Sequence, residues 1–280
     1  MPIITKSTIA TFELLSQRME QGRKTFYTRY GDGDLYLLMG RSYRNHAFND
    51  KIRTEMEASI LIEDPAYVKA MCVNYDLDPG MENGLFTWYP DNDEMADFLS
   101  DSYAPDRQWE FEHHFTFPYY ALFKQAEFIH FFDSYIRPRK KLFVGGVERD
   151  VAERLFGPIE EYVQTPMKNA YSEIDEWWPL VMDKAAKVDL VIPTAGAASK
   201  IINKRLWAEK YDGDSFDIGA LIDWVDGRRS RKWIKLLGHR INDVLVPGQQ
   251  DDSLRFKMYY QSREGYYQMR AIWKELRKTM

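Results

Sequence analysis

The sequence is poor in the features that mark secreted, membrane-spanning and disulfide-stabilised proteins. Only one cysteine, Cys72, occurs in 280 residues, which excludes an internal disulfide framework and favours a reducing compartment. We interpret Cys72 as a buried structural thiol. No stretch reaches the ~18 apolar residues of a membrane span, and the first residues lack the basic region and apolar core of a signal peptide. We therefore expect a cytoplasmic protein with no membrane span.

The sequence also has no excess of positive over negative charge. The 38 basic and 43 acidic side chains give a net charge of -5, which argues against a protein that coats nucleic acid through bulk charge. Two local basic clusters remain, at 137–141 and at 228–235. With 45% apolar residues, the composition is that of an ordinary globular protein that can bury a substantial core.

Several catalytic motifs are missing. The chain has no G-x-x-x-x-G-K-[ST] loop and no G-x-G-x-x-G after a strand, so P-loop and dinucleotide-binding interpretations have no support. It has no G-x-S-x-G elbow, which disfavours acyl transfer by a serine nucleophile. Its five histidines show no H-x-x-x-H or H-E-x-x-H spacing, so a zinc site is not expected.

The order of predicted elements indicates an α/β fold. In the second half of the chain, buried-type strands such as 188–194 alternate with helices such as 197–210. This rhythm is typical of βαβ crossovers and a parallel sheet. We therefore predict one Rossmann-like domain over residues 1–280, with a parallel sheet flanked by helices.

Two regions depart from that rhythm. Residues 76–135 begin with a stretch rich in Pro, Gly, Asp and aromatic residues, and we predict a loop- and helix-rich insertion there that acts as a lid or faces an acceptor. The last part of this insertion is predicted to run into one apolar helix over 119–136. Residues 250–280 are predicted to form a C-terminal helical extension.

Two aspartates follow a predicted strand at 25–31, where ligands of parallel α/β sheets bind. The carboxylates of Asp32 and Asp34 lie two residues apart and can approach one divalent cation. Mg²⁺ and Mn²⁺ prefer such hard oxygen ligands and often complete their shell with substrate phosphates. Gly31 and Gly33 would permit unusual backbone angles and the close approach of a diphosphate. Arg29 could pair with a phosphate oxygen.

The competing interpretation is an ordinary polar turn. Aspartate and glycine are the commonest turn residues, and a second Asp-Gly-Asp occurs at 212–214, where we predict a plain connection. Asp-Asn-Asp at 91–93 is a third acidic run. An EF-hand is excluded, because a loop starting at Asp32 would place tyrosines at ligand positions. The residues alone therefore leave both interpretations open.

Four segments, in order along the chain, resemble one family, the metal-dependent glycosyltransferases of the GT-D fold. "RYGDGD" at 29–34 is similar to the family's Arg-aromatic-Gly-Asp-Gly-Glu signature, with Asp34 in place of glutamate. "TPMKNAY" at 165–171, "LVIPTAGAASKII" at 190–202 and "FDIGALIDW" at 216–224 resemble three later segments of the family. The agreement in order makes the resemblance much more specific than any one segment.

The resemblance implies a Rossmann-like domain, a nucleoside-diphosphate-sugar donor, typically a UDP-sugar, and Mn²⁺ or Mg²⁺ as cofactor. It implies that Asp32 and Asp34 bind the metal and the diphosphate, and that Arg29 supports the donor site. Further donor-binding residues are then Gly31, Gly33, Lys168, Asn169, Thr194 and Gly196, and the candidate general bases are Asp217 and Asp223. Two of these have other interpretations, since Asn169 can cap the following helix and Asp217 can fix a loop by hydrogen bonding.

The predicted reaction is an inverting transfer of the sugar to an acceptor hydroxyl. The metal would neutralise the leaving diphosphate while a carboxylate removes the proton of the acceptor. The acceptor is open: a glycan, a glycoprotein, or a hydroxylated base in DNA. DNA would use the two basic clusters, with Trp88 and Trp109 as stacking surfaces. A hypothesis from another class is a nucleotide-binding module without catalysis.

Overall fold

A single parallel sheet organises the protein. The computed structural model describes residues 3–44, 46–73, 92–103, 108–228 and 234. Its strands are β1 (Ile4–Thr5), β2 (Phe26–Arg29), β3 (Tyr67–Met71), β4 (Glu110–His113), β5 (Lys141–Gly145), β6 (Glu161–Gln164), β7 (Leu190–Thr194) and β8 (Asp214–Phe216). Across the described part of the chain they form one eight-stranded sheet in the order β1-β4-β3-β2-β8-β7-β5-β6, and each pairing is parallel. The predicted α/β class and parallel sheet are confirmed.

Helices cover both faces of the sheet. They are α1 (Thr8–Glu20), α2 (Asp32–Leu38), α3 (Asp50–Ile60), α4 (Asn92–Tyr103), α5 (Thr116–Phe123), α6 (Gln125–Phe131), α7 (Arg149–Phe156), α8 (Ile174–Ala185), α9 (Ala198–Ala208) and α10 (Leu221–Val225). A π-helical turn spans Phe132–Ile136 and a 3₁₀ turn spans Ala170–Glu173. None of the described helices combines the length and the hydropathy needed to cross a bilayer.

Side-chain caps fix the starts of two early helices. The side chain of Ser7 accepts a hydrogen bond from the amide of Ala10 at the start of α1. Asn49 does the same for the amide of Ile52 at the start of α3, as its position before an apolar run predicts. Phe12 and Leu15, three residues apart on α1, are buried on the face that packs against the sheet.

The two faces of the sheet carry separate cores. One core holds buried residues of α2, α3, α8 and α9, such as Leu35, Met56, Val181 and Ile201. The other holds residues of α1, α5, α6, α7 and α10. Because both faces are covered, the central strands are buried on both sides, as in β5, where all five residues are buried.

A crevice follows from this arrangement at the centre of the sheet. Strands β2 and β8 are neighbours, with Phe26 opposite Ser215. The chain leaving β2 enters α2 on the first face, and the chain leaving β8 enters α10 on the other face. Where adjacent parallel strands send their chains to opposite faces, a cleft opens at their carboxyl ends. Any ligand of this fold is expected there.

The region 76–135 differs from its prediction in the part that the structure describes. Residues 110–113 form β4, which pairs with β3, although the sequence predicted an irregular stretch. The strand signal is masked because β4 carries Glu110 and Glu112. The carboxylate of Glu112 is buried and bound by Lys6 and Thr11, so burial of this charge is offset by its partners. Residues 74–91 and 104–107 lie outside the described residues, as does the extension predicted at 250–280.

The single helix predicted over 119–136 is also divided. Lys124 leaves the helical conformation, with φ -136° and ψ 56°, and separates α5 from α6. After α6, the chain continues directly into the π-helical turn. Phe117 and Phe131 on the two sides of the break pack together with ring centroids 5.4 Å apart. Periodicity alone did not reveal the break, because apolar residues continue on both sides of it.

Candidate active site

Charged side chains from three elements meet at the crevice between β2 and β8. Asp34 comes from the first turn of α2, Lys200 from the first turn of α9, and Asp217 directly follows β8. The ammonium nitrogen of Lys200 lies 3.0 Å from Asp34 Oδ2 and 3.1 Å from Asp217 Oδ2. One lysine therefore connects the ends of two neighbouring strands.

Lys200 is a buried cation. Its side chain is 7% exposed, and its ammonium also donates to the carbonyl oxygen of Gly196 at 3.3 Å. Burial lowers the pKa of Lys200, but the negative charges of Asp217 and Asp34 raise it by a larger amount. The pKa therefore lies above its ordinary value. Asp217 Oδ2 has no aligned hydrogen bond within the described residues, so its contact with Lys200 is an ion pair. The ammonium stays charged at neutral pH.

Asp34 is committed to the start of α2. Its Oδ2 accepts a hydrogen bond from the amide of Gly31, the residue before the helix, at 2.9 Å. A carboxylate at the third helical position satisfies this amide and complements the positive end of the helix. Asp34 is 7% exposed, and the same oxygen faces Lys200. Gly31 has an ordinary extended conformation, φ -92° and ψ -179°, so no unusual backbone angle is needed there.

Asp32 is the more accessible member of the pair. It is the first residue of α2, and its side chain is only partly buried. The hydroxyl of Tyr43 donates a hydrogen bond to Asp32 Oδ2 at 2.8 Å. The two aspartates are therefore not equivalent: Asp34 points to an internal lysine, and Asp32 keeps a carboxylate at the surface of the crevice.

Two glycines make room for side chains at this site. A Cβ on Gly33 would lie 3.0 Å from Tyr43 Cδ1. Gly196 has φ +61°, and a Cβ there would lie 2.5 Å from His46 Cε1. Gly33, like Gly31, does not have a positive φ, so the unusual backbone angles predicted for these two glycines are wrong, whereas Gly196, for which none was predicted, adopts the left-handed conformation. At Gly33 the reason for glycine is space.

The turn between β7 and α9 presents few free amides. The amides of Ala198, Ser199 and Lys200 are already bonded to carbonyl oxygens three residues earlier. For Gly196 and Ala197 the described contacts include no such bond. Thr194 Oγ1 is buried and has no hydrogen-bond partner among the described residues, and it fills the space that a side chain on Gly145 would occupy.

Lys168 and Asn169 follow β6 as predicted, but the contacts of Asn169 differ from the predicted ones. Asn169 has φ 50°, and its side-chain Oδ1 accepts a hydrogen bond from the amide of Ala47 at 2.9 Å. Its side chain does not cap the following 3₁₀ turn, so the capping interpretation is wrong. Asn169 instead ties the end of β6 to the chain after Tyr43. Lys168 is exposed.

Arg29 and the two predicted bases have distinct surroundings. Arg29 donates through Nε to the carbonyl oxygen of His114, and its guanidinium packs against Gly219. Asp217 is 1% exposed, and its Oδ1 accepts a hydrogen bond from the amide of Gly219 at 2.9 Å. It thus fixes the loop after β8, as its alternative interpretation stated. Asp223 lies on α10, where Arg228 Nη2 is 2.9 Å from its Oδ1.

The donor set fits a hard divalent cation at Asp32. Its carboxylate is of the oxygen type that Mg²⁺ and Mn²⁺ prefer, and such ions often use one or two carboxylates with substrate phosphates. No cluster of three or more His, Cys, Asp or Glu side chains suited to a metal occurs in the described ranges. Asp34 Oδ2 is already held by the Gly31 amide and Lys200, so Asp34 could offer a metal only its other oxygen. The residues therefore fit a cation shared between Asp32 and a substrate.

Sequence reasoning missed Lys200, Tyr43 and His46. Lys200 had a usable signal, since it lies in the first turn of a helix that follows a strand and is followed by two buried isoleucines. A lysine in such a place is buried only when it is paired. Tyr43 and His46 belong to a loop that no pattern distinguishes, and only the fold brings them to Asp32 and Gly196.

Comparison with solved structures supports the fold. The chain is similar to a glycosyltransferase containing domain of unknown function 1792 from Streptococcus sanguinis, with 20% identity and a TM-score of 0.57 over 80% of this chain and 84% of that chain. A second structure, in which this domain has a distinct glycosyltransferase fold, is 17% identical with a TM-score of 0.56 over 81% of this chain and 83% of that chain. No protein-family model and no curated protein matches the sequence. The predicted glycosyltransferase fold is confirmed.

Proposed function

We propose that this protein is a glycosyltransferase that moves a sugar from a nucleoside-diphosphate sugar to an acceptor hydroxyl. One observation carries the proposal: Asp32 lies at the crevice between β2 and β8, beside Gly33 in the first turn of α2, on a fold shared with a glycosyltransferase. Open α/β sheets bind nucleotides at this place. We take the donor to be a UDP-sugar, as the sequence resemblance implies.

The charges of the crevice suit an anionic donor once its cations are counted. Asp32, Asp34 and Asp217 bring three carboxylates to the ends of β2 and β8, and these alone would repel a diphosphate. Lys200 neutralises part of this charge from within, because it contacts both Asp34 and Asp217. Arg29 adds a second cation at the end of β2. The remaining negative charge is on the accessible Asp32, where a divalent cation would balance it.

We assign the metal to Asp32. A bound Mn²⁺ or Mg²⁺ would supply Lewis-acid stabilisation of the departing diphosphate. The protein's own part is to hold the Asp32 carboxylate in one orientation, which the hydroxyl of Tyr43 does at 2.8 Å. Gly33 and Gly196 carry no side chain, so the rings of Tyr43 and His46 can lie against them at the border of this site. Together these residues bind and orient the donor.

The general base is assigned by exposure. A base must reach the acceptor hydroxyl, and the Asp217 side chain is 1% exposed whereas that of Asp223 is 20% exposed. We therefore favour Asp223 as the general base. We assign Asp217 a structural role, because it binds Lys200 and the amide of Gly219. One base and no covalent intermediate correspond to an inverting single displacement. Asp223→Asn should lower kcat and leave the KM for the donor unchanged, whereas an unchanged kcat would reject the assignment.

A glycan or glycoprotein acceptor is favoured over DNA. In the basic cluster at 137–141, Arg137 pairs with Asp133, Arg139 with Asp214, and Lys141 is buried and donates to the carbonyl oxygen of Pro158. These charges are used within the protein. Trp109 is 6% exposed, so it offers no stacking surface. Trp88 and most of 228–235 lie outside the described residues.

A panel of nucleotide sugars tests the proposal. The protein is incubated with UDP-, GDP-, ADP- and CDP-sugars, with and without Mn²⁺, and the release of free nucleoside diphosphate is measured. We expect metal-dependent release from at least one donor, and a higher melting temperature with that donor and Mn²⁺, because a ligand that binds only the native state stabilises it. Tight binding without any release would support the non-catalytic module instead. Neither binding nor release with any donor would reject both.

A further inference from the structure

A short backbone bridge covers the crevice. The amide of Tyr43 donates to the carbonyl oxygen of His46, and the amide of His46 donates to that of Tyr43, each at 2.9 Å. Arg44 has φ 50°, which permits the tight reversal. We call the residues Tyr43 and His46, joined in this way, the Tyr43/His46 bridge. It follows α2 and returns the chain towards α3.

The bridge contacts both glycine turns of the crevice. The ring of Tyr43 lies against Gly33, and its hydroxyl binds Asp32. The imidazole of His46 lies against Gly196 at the start of α9 and also approaches Gly33, since a Cβ there would be 3.7 Å from His46 Cδ2. The two side chains therefore lie over the turns that follow β2 and β7.

Three further contacts hold the bridge in place. Asn169 accepts the amide of Ala47, directly after His46. Ser42 accepts the amide of Phe48, so the ends of the segment are tied to each other. The ring of Tyr43 stacks on Tyr36 of α2, with centroids 4.7 Å apart and planes at 25°. Contacts on both sides of the crevice would not be needed for a simple surface loop.

We infer that the Tyr43/His46 bridge is the outer wall of the diphosphate site: Tyr43 positions the Asp32 carboxylate, and His46 presents a ring N–H to the donor's phosphate oxygens. The inference rests on the proposed function and deepens it, because it names the groups that recognise the diphosphate. An imidazole N–H is a suitable donor to phosphate oxygen.

The two residues predict different defects. Tyr43 acts through Asp32, and loss of a partner that orients a metal ligand typically costs 10–100-fold in metal affinity. His46 acts on the nucleotide itself, and loss of one charge-assisted hydrogen bond is expected to weaken nucleotide binding by about tenfold. Tyr43→Phe should therefore raise the Mn²⁺ concentration for half-maximal binding. His46→Ala should raise the Kd for the nucleotide at saturating Mn²⁺.

Calorimetric titration of the full chain with UDP, GDP, ADP and CDP tests this, over a range of Mn²⁺ concentrations. Tyr36→Phe is the matched control, because it removes a hydroxyl from the same stacked ring pair and should bind as the unchanged protein does. His46→Gln keeps an N–H near the position of the imidazole Nε2 and should restore most of the affinity lost in His46→Ala. Melting temperatures of all variants show whether they are folded, and the rescue by glutamine separates recognition from folding.

The outcomes separate this inference from the proposed function. If the unchanged protein binds none of the four nucleotides, the proposed function and the inference both fail. If the unchanged protein binds one of them, and Asp32→Asn abolishes this while Tyr43→Phe and His46→Ala bind normally, the inference fails and the proposed function stands. If His46→Gln binds as weakly as His46→Ala, the phosphate contact of His46 is rejected.

Discussion

Two identical tripeptides lie at opposite ends of the central strands of the sheet. Asp32-Gly33-Asp34 follows β2 at the carboxyl edge, and Asp212-Gly213-Asp214 leads into β8 at the amino edge. The first gives one carboxylate to an internal lysine and keeps another accessible. In the second, Asp214 accepts the amide of Thr25 at 2.6 Å and pairs with Arg139. The second tripeptide is therefore a structural connection, as the sequence predicted.

Position in the sheet, and not residue type, decides what the tripeptide does. At the amino edge, Asp214 ties β8 to the chain before β2. At the carboxyl edge, the chains leaving β2 and β8 diverge to opposite faces, which leaves a cleft where a ligand can enter. A motif search finds both tripeptides, whereas the topology distinguishes them.

The largest effect is expected from a matched pair of substitutions in the two tripeptides. Asp32→Asn should lower donor turnover by at least about 100-fold, the usual scale for loss of a group that stabilises charge in the transition state. Asp212→Asn changes an exposed residue and should leave turnover unchanged. Metal-dependent nucleotide release and melting temperature are measured for both. Equal activities in two folded variants would remove the distinction between the tripeptides.

Lys200, which contacts the first tripeptide, and Arg139, which pairs with the second, differ in how much they stabilise the fold. Lys200→Met leaves Asp34 and Asp217 buried against each other without a counter-charge, which should cost about 3–5 kcal/mol of unfolding free energy. Arg139→Met breaks a pair that is partly exposed, with side chains 23% and 13% exposed, and should cost about 1 kcal/mol after solvent screening. Urea denaturation of both variants gives the values. A smaller loss for Lys200→Met than for Arg139→Met would contradict the account.

The two central glycines sharpen the comparison further. In Gly213→Ala the new Cβ would lie 2.5 Å from the backbone oxygen of Asp189, and relief of this clash should cost about 1–3 kcal/mol of stability. In Gly33→Ala the nearest atom belongs to the ring of Tyr43 at 3.0 Å, which can shift slightly. Stability should hardly change, but nucleotide affinity should fall because Tyr43 orients Asp32. Chemical denaturation and nucleotide titration distinguish the two losses.

The smallest effect concerns Cys72, whose thiol is buried near the first tripeptide. Burial raises the pKa of Cys72, and the carboxylates of Asp32 and Asp34 raise it further. A raised pKa keeps the thiol protonated and unreactive at neutral and mildly alkaline pH. The native protein should therefore not react with Ellman's reagent at pH 8, and Asp32→Asn should not change this, because burial is the main cause. Rapid labelling of the folded variant would show that the segment after β3 is open.

The sequence predicted those features that depend on neighbouring residues. Alternation of strands and helices predicted the parallel sheet, and the predicted strand before Asp32 placed this residue at the carboxyl ends of the strands. The ion pairs of Lys200 were not predictable in the same way, since Lys200 and Asp34 are distant in sequence. Their contact depends on β8 lying next to β2, which is a property of the topology.

The most direct test is a crystal grown with MnCl₂ and a UDP-sugar analogue, with the metal located by its anomalous scattering. The account predicts manganese bound to the Asp32 carboxylate, with the diphosphate beside Gly33 and Gly196 and within hydrogen-bond distance of His46. Manganese at Asp212 or Asp214, or a nucleotide bound away from the ends of β2 and β8, would contradict it.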